Sequence, residues 1–430
     1  MRVIILVALL FLIIPLSGQL PNGFVRELIV TDLNPTSLAQ AKDGRIFIVE
    51  KHGVIRVVRD NQVLDEPLLT IEVNDANEKG LGHMVLHPDF EDNGYFYIYF
   101  SVPDSRFNRV SRWTANGDKA IPGSEKIILD MDETGADIHN GGAMVFGHDG
   151  HLYISSGDGS QSSVGEDPGS TNAKILRVTE AGEPVSDNPY YNLNLGRSNL
   201  VYASGLRNPF TMTIHPVNGK IYANDVGEST WEEINRIEKG AFYGWPRIEG
   251  KQNGEDLPSE YLDPVYQYHH SNEYCAVVGS AFYLPEIQQF PQEYIGRYFY
   301  SDYCTGHIRM LNAESGQDFG IFMTDGDRVV DLLVNNEGSL YYLERRGLGD
   351  ASHEDNGSTT NGNLWKISYT GVGTPFISIQ PKSILVVDGE DATFNVSATG
   401  SFPLTYRWSV DDVEMITENI PSFTMNNVST

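Results

Sequence analysis

Positive charge is scarce in this chain: 30 Lys and Arg face 58 Asp and Glu, for a formal net charge of −28. A protein that binds phosphate backbones needs a basic footprint, and this one carries the opposite field, so nucleic acids and anionic membrane surfaces are poor partners. Cysteine is scarcer still. Two in 430 residues exclude a disulfide-rich scaffold and leave no thiol set for structural zinc. Long helix-forming stretches are missing as well, because 42 Gly and 21 Pro interrupt the sequence throughout, which excludes an all-α fold. The one long apolar run is N-terminal: Arg2 precedes Val3 to Ile14, followed by Pro15 and the small residues Ser17 and Gly18. It is shorter than the ~20 residues of a membrane span. A basic start, a short apolar stretch and a small-residue exit read as a signal peptide over residues 1–18. The expectation is a secreted or periplasmic chain with no membrane attachment after cleavage. In that oxidising setting Cys275 and Cys304 are expected to form a disulfide, the alternative being two buried free thiols.

Aromatic residues are plentiful, and they recur in a pattern. A turn followed by an aromatic-rich strand appears at Asp43-Gly44, Asn93-Gly94, Asp149-Gly150 and Asn218-Gly219, with degenerate copies at Ile295-Gly296 and Glu337-Gly338. Asn-Gly and Asp-Gly supply the positive φ of tight hairpins, and β-branched and aromatic residues favour the strand that follows. The glycines are 50, 56, 69, 77 and 42 residues apart, close to the length of a propeller blade with insertions in the middle ones. The pattern predicts an all-β, six-bladed β-propeller over 19–369, in preference to a pair of β-sandwiches. A Gly-rich linker at 370–375 follows. Beyond it, stretches from Ile377 to Val387, Ala392 to Ala398 and Leu404 to Val410 read as short strands. With Trp408 among them they predict a partial immunoglobulin-like or PKD-like β-sandwich over 376–430, short of the ~100 residues of a complete one.

Three clusters could carry chemistry. His139-Asn140-Gly141-Gly142 places a titratable ring where the backbone can approach a ligand, with Gly157-Asp158-Gly159 after the next strand. Each of these can equally be an ordinary turn. Arg207-Asn208-Pro209 presents a cation and an amide in an extended segment, or a surface ion pair. Gly227-Glu228, Glu232-Glu233 and Tyr243-Gly244-Trp245-Pro246 bring carboxylates and loop carbonyls together, as a hard cation such as Ca²⁺ requires, or as a solvated acidic loop would.

In order along the chain, these clusters resemble the glucose/sorbosone dehydrogenase family between about residues 25 and 367, together with Glu78 to Gly82, His87 to Phe90, Lys174 to Arg177 and Asp187 to Pro189. The cysteine-bearing segments also resemble the branch that contains hedgehog-interacting-protein-like propellers. The resemblance implies a Ca²⁺- and pyrroloquinoline quinone (PQQ)-dependent dehydrogenase that oxidises the anomeric hydroxyl of an aldose to a lactone and passes electrons to an external acceptor. It implies His139 as general base and Arg207 as the group polarising the quinone. Glu78, Asn208 and Arg328 would contact the cofactor. Gly227, Glu228, Glu232, Glu233 and Tyr243 would furnish the Ca²⁺ site or a structural one beside it. Two departures stand out: Leu284 occupies a position that is often basic in the family, and Arg328 stands alone where the PQQ-using glucose enzymes have two arginines. Such a clamp has fewer cations for the three carboxylates of PQQ. A glycan- or protein-binding propeller without PQQ, or a calcium lactonase, are the alternative functions on the same shape.

Overall fold

Each of the six glycine turns opens the second strand of a separate antiparallel sheet. These strands are Ile46–Glu50, Tyr95–Ser101, Leu152–Ser156, Ile221–Asp225, Tyr298–Asp302 and Leu340–Glu344. The computed structural model describes residues 7–11, 20–252, 257–271, 273–346, 359–371, 376–399, 405–410, 413–415 and 421–428. The first strand of each sheet is Pro35–Gln40, Leu81–Leu86, Gly141–Phe146, Pro209–Ile214, Val277–Phe282 or Val329–Val334. Each of these touches the next, and the sixth touches the first, so they ring a central channel. The fold is a six-bladed β-propeller. The long third and fourth turn intervals are accounted for by loops within blades three and four, at 179–197 and 238–265.

The second strands were legible because they are sandwiched between neighbouring blades. Five of the six are buried at every position, among them Ile46–Glu50 and Tyr298–Asp302. A strand covered on both faces reads as a continuous apolar run rather than an alternating one.

The sixth blade takes strands from both ends of the propeller: Gly362–Tyr369 pairs with Leu340–Glu344 on one side and with the N-terminal strand Phe24–Leu33 on the other. Phe24 fastens this closure, its ring lying 4.7–5.1 Å from those of Phe290, Tyr294, Phe322 and Tyr369, all distant from it in sequence. Phe24→Ala is therefore expected to cost about 3–5 kcal/mol, read as a lowered urea midpoint.

Beyond the propeller, Phe376–Ile379 pairs with Ser397–Thr399, Ala392–Asn395 with Ser422–Met425, and Thr405–Val410 with Val413–Met415. The strand expected to run to Val387 ends at Ile379 instead; Pro381 follows, without an amide hydrogen to extend the ladder. Trp408 is buried against Phe423, with ring centroids 5.5 Å apart. Val7–Phe11, inside the span read as a signal peptide, pairs with Thr405–Val410. The expected cleavage position near Gly18 and residues 372–375 of the expected linker lie outside the described residues.

Candidate active site

Strand direction alternates within each blade. The segments entering the inner strands and the loops after the second strands therefore share one face, opposite the six glycine turns. His139, Arg207, Asn208, Glu78, Arg328 and Gly227 all lie on that face.

His139 precedes the third inner strand in a left-handed conformation, φ 56°, which a non-glycine residue holds only under constraint. Three contacts supply it. The Glu78 carboxylate accepts the His139 amide at 2.7 Å, Nδ1 meets Asp158 Oδ1 at 2.8 Å, and Nε2 meets Arg207 Nη2 at 3.0 Å. Arg207 can only donate, so the network assigns the ring proton to Nδ1 and leaves the Nε2 lone pair facing the mouth. Gly157 makes the approach possible, because a Cβ there would lie 2.1 Å from the His139 carbonyl oxygen.

Asp158 is buried and also accepts from Trp245 Nε1 at 2.9 Å and from the Ser160 amide at 2.8 Å. Arg207 donates to the Gly227 carbonyl at 2.7 Å and to that of Val226 at 3.1 Å, and its guanidinium lies 5.5 Å from the Trp245 ring. Its Nε is buried without a protein partner, an orphaned donor at the mouth. Asn208 accepts the Gly141 amide at 3.0 Å and so ties blade four to blade three.

Behind Arg207 lie two buried carboxylates. Asp225 accepts the amides of Arg207 and Asn208 at 3.0 and 2.7 Å and is the cross-strand partner of Glu233. Burial, with the neighbouring charge of Glu233 second, holds Asp225 well above the usual carboxylate range. Burial likewise pushes Glu233 from 4.5 to about 7. The folded state therefore binds more protons than the unfolded chain between those values, so stability falls as pH rises through that window. The slope contributed by Glu233 amounts to about 3 kcal/mol in total, and Glu233→Gln is expected to flatten it in urea titrations run from pH 4.5 to 7.5.

Of the five positions expected around a metal, Gly227, Glu233 and Tyr243 line one small cavity, and Glu232 accepts the Gly227 amide at 3.4 Å, but the side chains are committed to different partners. Glu232 and Glu233 are adjacent on one strand and point to opposite faces. Glu232 accepts from His270, at 2.7 Å, and from the Val277 amide of blade five, at 2.9 Å; Glu233 accepts from Gly250 and Asn235. The Tyr243 hydroxyl donates to the Arg236 carbonyl at 2.5 Å rather than facing the mouth. Among the described residues, no group of three or more His, Cys, Asp or Glu side chains is arranged around a metal position. The carbonyls at Gly227 and Glu228 remain as oxygen donors. Glu249, which the sequence reading passed over, organises that loop: one carboxylate oxygen accepts the amides of Glu228, Ser229, Thr230 and Trp231 at 2.7–3.4 Å. Asp158 and Trp245 were visible only as members of motifs, without roles.

Arg328 enters the sixth inner strand at φ 51°, across the ring from His139, with its guanidinium 5.8 Å from the Tyr303 ring. Cys275 and Cys304 form a disulfide on the same face, Cα atoms 5.6 Å apart. Buried Asp302 accepts both cysteine amides, each at 3.1 Å.

The model of the glucose/sorbosone dehydrogenase family matches residues 33–351. The chain belongs to this family. Aldose sugar dehydrogenase YliI of Escherichia coli is 26% identical over 331 residues, 71% of this chain and 87% of that protein. Quinoprotein glucose dehydrogenase B of Acinetobacter calcoaceticus is 29% identical over 262 residues, 53% of this chain and 54% of that one. The PQQ-bound aldose sugar dehydrogenase of Streptomyces coelicolor shares the fold, with a TM-score of 0.64 at 23% identity over 81% of this chain and 99% of its own. Human hedgehog-interacting protein is 26% identical over 231 residues, 46% of this chain and 33% of its own. The proteins this chain resembles thus include sugar dehydrogenases and one named for a binding partner. Among the described residues, no helix is long and apolar enough to cross a membrane.

Proposed function

We propose that the chain is a secreted or periplasmic, Ca²⁺- and PQQ-dependent aldose dehydrogenase that converts the anomeric hydroxyl of a sugar to a lactone. The observation that carries this reading is the His139–Arg207 contact at 3.0 Å, with Asp158 behind the imidazole. A general base must present its lone pair within hydrogen-bond reach of the proton it takes, and a buried carboxylate on the far nitrogen fixes the tautomer. The orphaned Arg207 donor, the adjacent Trp245 ring and the Gly227 carbonyl match a flat quinone that carries carboxylates and a bound hard cation.

Arg207 and Asn208 would hold the cofactor, and the Gly227 and Glu228 carbonyls would hold Ca²⁺. When bound, PQQ supplies a two-electron acceptor for the hydride leaving the sugar C1. The chain's own residues do the rest. His139 Nε2 exchanges its Arg207 contact for the sugar hydroxyl and takes that proton as the C1–H bond breaks. Asp158 stabilises the imidazolium that forms. Arg207 directs positive charge at the oxygen where negative charge grows. Glu78 keeps the ring in position through the His139 backbone.

Reconstitution of the protein with Ca²⁺ and PQQ, followed by dye-linked oxidation of a panel of aldoses, tests the reading. Turnover that requires both additions supports it; PQQ uptake without any sugar oxidation counts against it. A binding propeller is the second reading, favoured by the similarity to hedgehog-interacting protein and by Leu284 in place of a cation.

A further inference from the structure

Residues 157–173 join the second strand of blade three, Leu152–Ser156, to the third, Lys174–Val178, and the short 3-10 turn Ser162–Gly165 is the regular element between them. Long connections inside a compact fold are uncommon and mostly functional. This one is built from Gly, Ser, Asp, Glu, Asn, Gln, Thr and Pro, with Val164 and Ala173 as its apolar side chains, so it has almost nothing to pack around. It is nevertheless held on two sides. The Gly159 carbonyl accepts the Gly135 and Ala136 amides at 2.7 and 3.0 Å, and Asp132 accepts the Thr171 amide at 2.7 Å, which ties the loop to the segment leading into His139. On the other side a Cβ at Gly165 would lie 2.4 Å from the Trp245 carbonyl oxygen, and Glu166 pairs with Arg247.

The middle of the loop is filled by Lys174. It opens the third strand opposite Ser156 and Ser204, and its side chain is 0% exposed. Its Nζ donates back into the loop, to the carbonyls of Val164 at 2.5 Å, Asn172 at 3.0 Å and Gly165 at 3.2 Å. An ammonium has three hydrogens and no acceptor, so these contacts use every donor it has. Carbonyl oxygens gathered around a buried positive charge are the usual cradle of a bound hard cation. Here the cation is part of the chain. Burial pushes Lys174 from 10.5 down to about 7, with Asp167 and Asp132 acting in the other direction. A hydrocarbon side chain would avoid that desolvation, so packing alone does not account for an amine at this position.

We propose that Lys174 is a positioning residue, an internal cation whose hold on the loop carbonyls seats Trp245 and, through it, the Asp158–His139 pair. Gly165 is the link: its carbonyl accepts from Lys174 while its Cα packs against the Trp245 carbonyl. The Trp245 indole donates to Asp158, which in turn holds His139 Nδ1. The effect on turnover rests on the proposed function; the carbonyl cradle does not.

The test has two parts. Lys174→Ala removes the equivalent of propylammonium from the side chain, so the cradle is probed with that ion in protein free of PQQ and sugar, both of which react with amines. Propylammonium is expected to raise the thermal midpoint of Lys174→Ala and to restore its near-UV circular dichroism. Tetramethylammonium, which has no N–H, is expected to do neither, and the wild type should respond to neither ion. An Ala variant that folds only with propylammonium counts as the same response; no response in either readout overturns the proposal. With Ca²⁺ and PQQ supplied and no amine present, folded Lys174→Met is expected to lose between about tenfold and a hundredfold in kcat, with the sugar KM and PQQ affinity close to wild type. Lys174→Gln takes its place if the Met variant does not fold. Wild-type kcat in the folded variant overturns the positioning role and leaves the proposed function standing. A wild type that oxidises no sugar overturns the proposed function, and the propylammonium response then decides the cradle by itself.

Discussion

His139→Ala is expected to lower kcat by about three orders of magnitude while leaving Ca²⁺ binding and the unfolding midpoint nearly unchanged. Proton abstraction by a positioned side chain is worth roughly 10²–10⁴ in rate, and no other side chain shares the contact of His139 Nε2 with Arg207. The fold does not lean on the imidazole. Asp158 keeps Trp245 and Ser160 as donors when the ring is removed, and the backbone at 139 remains tied to Glu78. Steady-state kinetics with calorimetric Ca²⁺ titration on the same preparation check both halves. A variant that unfolds, or one that turns over normally, would return His139 to the role of a turn residue.

Asp158→Asn is expected to reduce kcat by roughly 10²–10⁴ with little change in PQQ affinity. The carboxylate accepts three donors: the His139 Nδ1 proton, the Trp245 indole and the Ser160 amide. An amide can accept on one side only. Its NH₂ must face either the indole or the imidazole, and in the second case the ring proton shifts to Nε2, directly against the Arg207 donor. The lone pair that takes the sugar proton is then lost. Kinetics would show the fall in kcat, and fluorescence titration the preserved cofactor affinity. A matching loss of affinity would instead mark Asp158 as a structural support for Trp245.

The propeller was legible because its repeat is local. A glycine turn and the buried strand after it lie within about ten residues, and each blade repeats them. The strand that closes the ring was not legible, since no short-range pattern shows that Phe24–Leu33 completes the sixth blade. The same division holds at the site. His139 and Arg207 stood out because each lies two residues before a glycine or proline, and Gly227 because it is itself the turn glycine beside a carboxylate. Glu232 and Glu233, adjacent in sequence, take separate partners because adjacency along a strand separates side chains. Glu249 and Asp158 act through hydrogen bonds to residues 18–21 and 19–87 positions away, respectively, which spacing does not reveal. Lys51 and Arg345 are 294 residues apart in the sequence, and both bond Asn34, one at its carbonyl and one at its side chain, only when the ring closes.

That closure sets a timetable for synthesis. Phe24 pairs with Tyr369, so the first strand of the propeller waits for nearly the last. At 5–20 residues per second, the interval is roughly 20–70 s. During it, Phe24 and the strand it opens have no native partner, and blade six lacks its outer edge. An exported chain would pass through its translocation channel in this open state. In a chain threaded unfolded through such a channel, the ring would be completed on the far side, where oxidation of the two cysteines is also permitted.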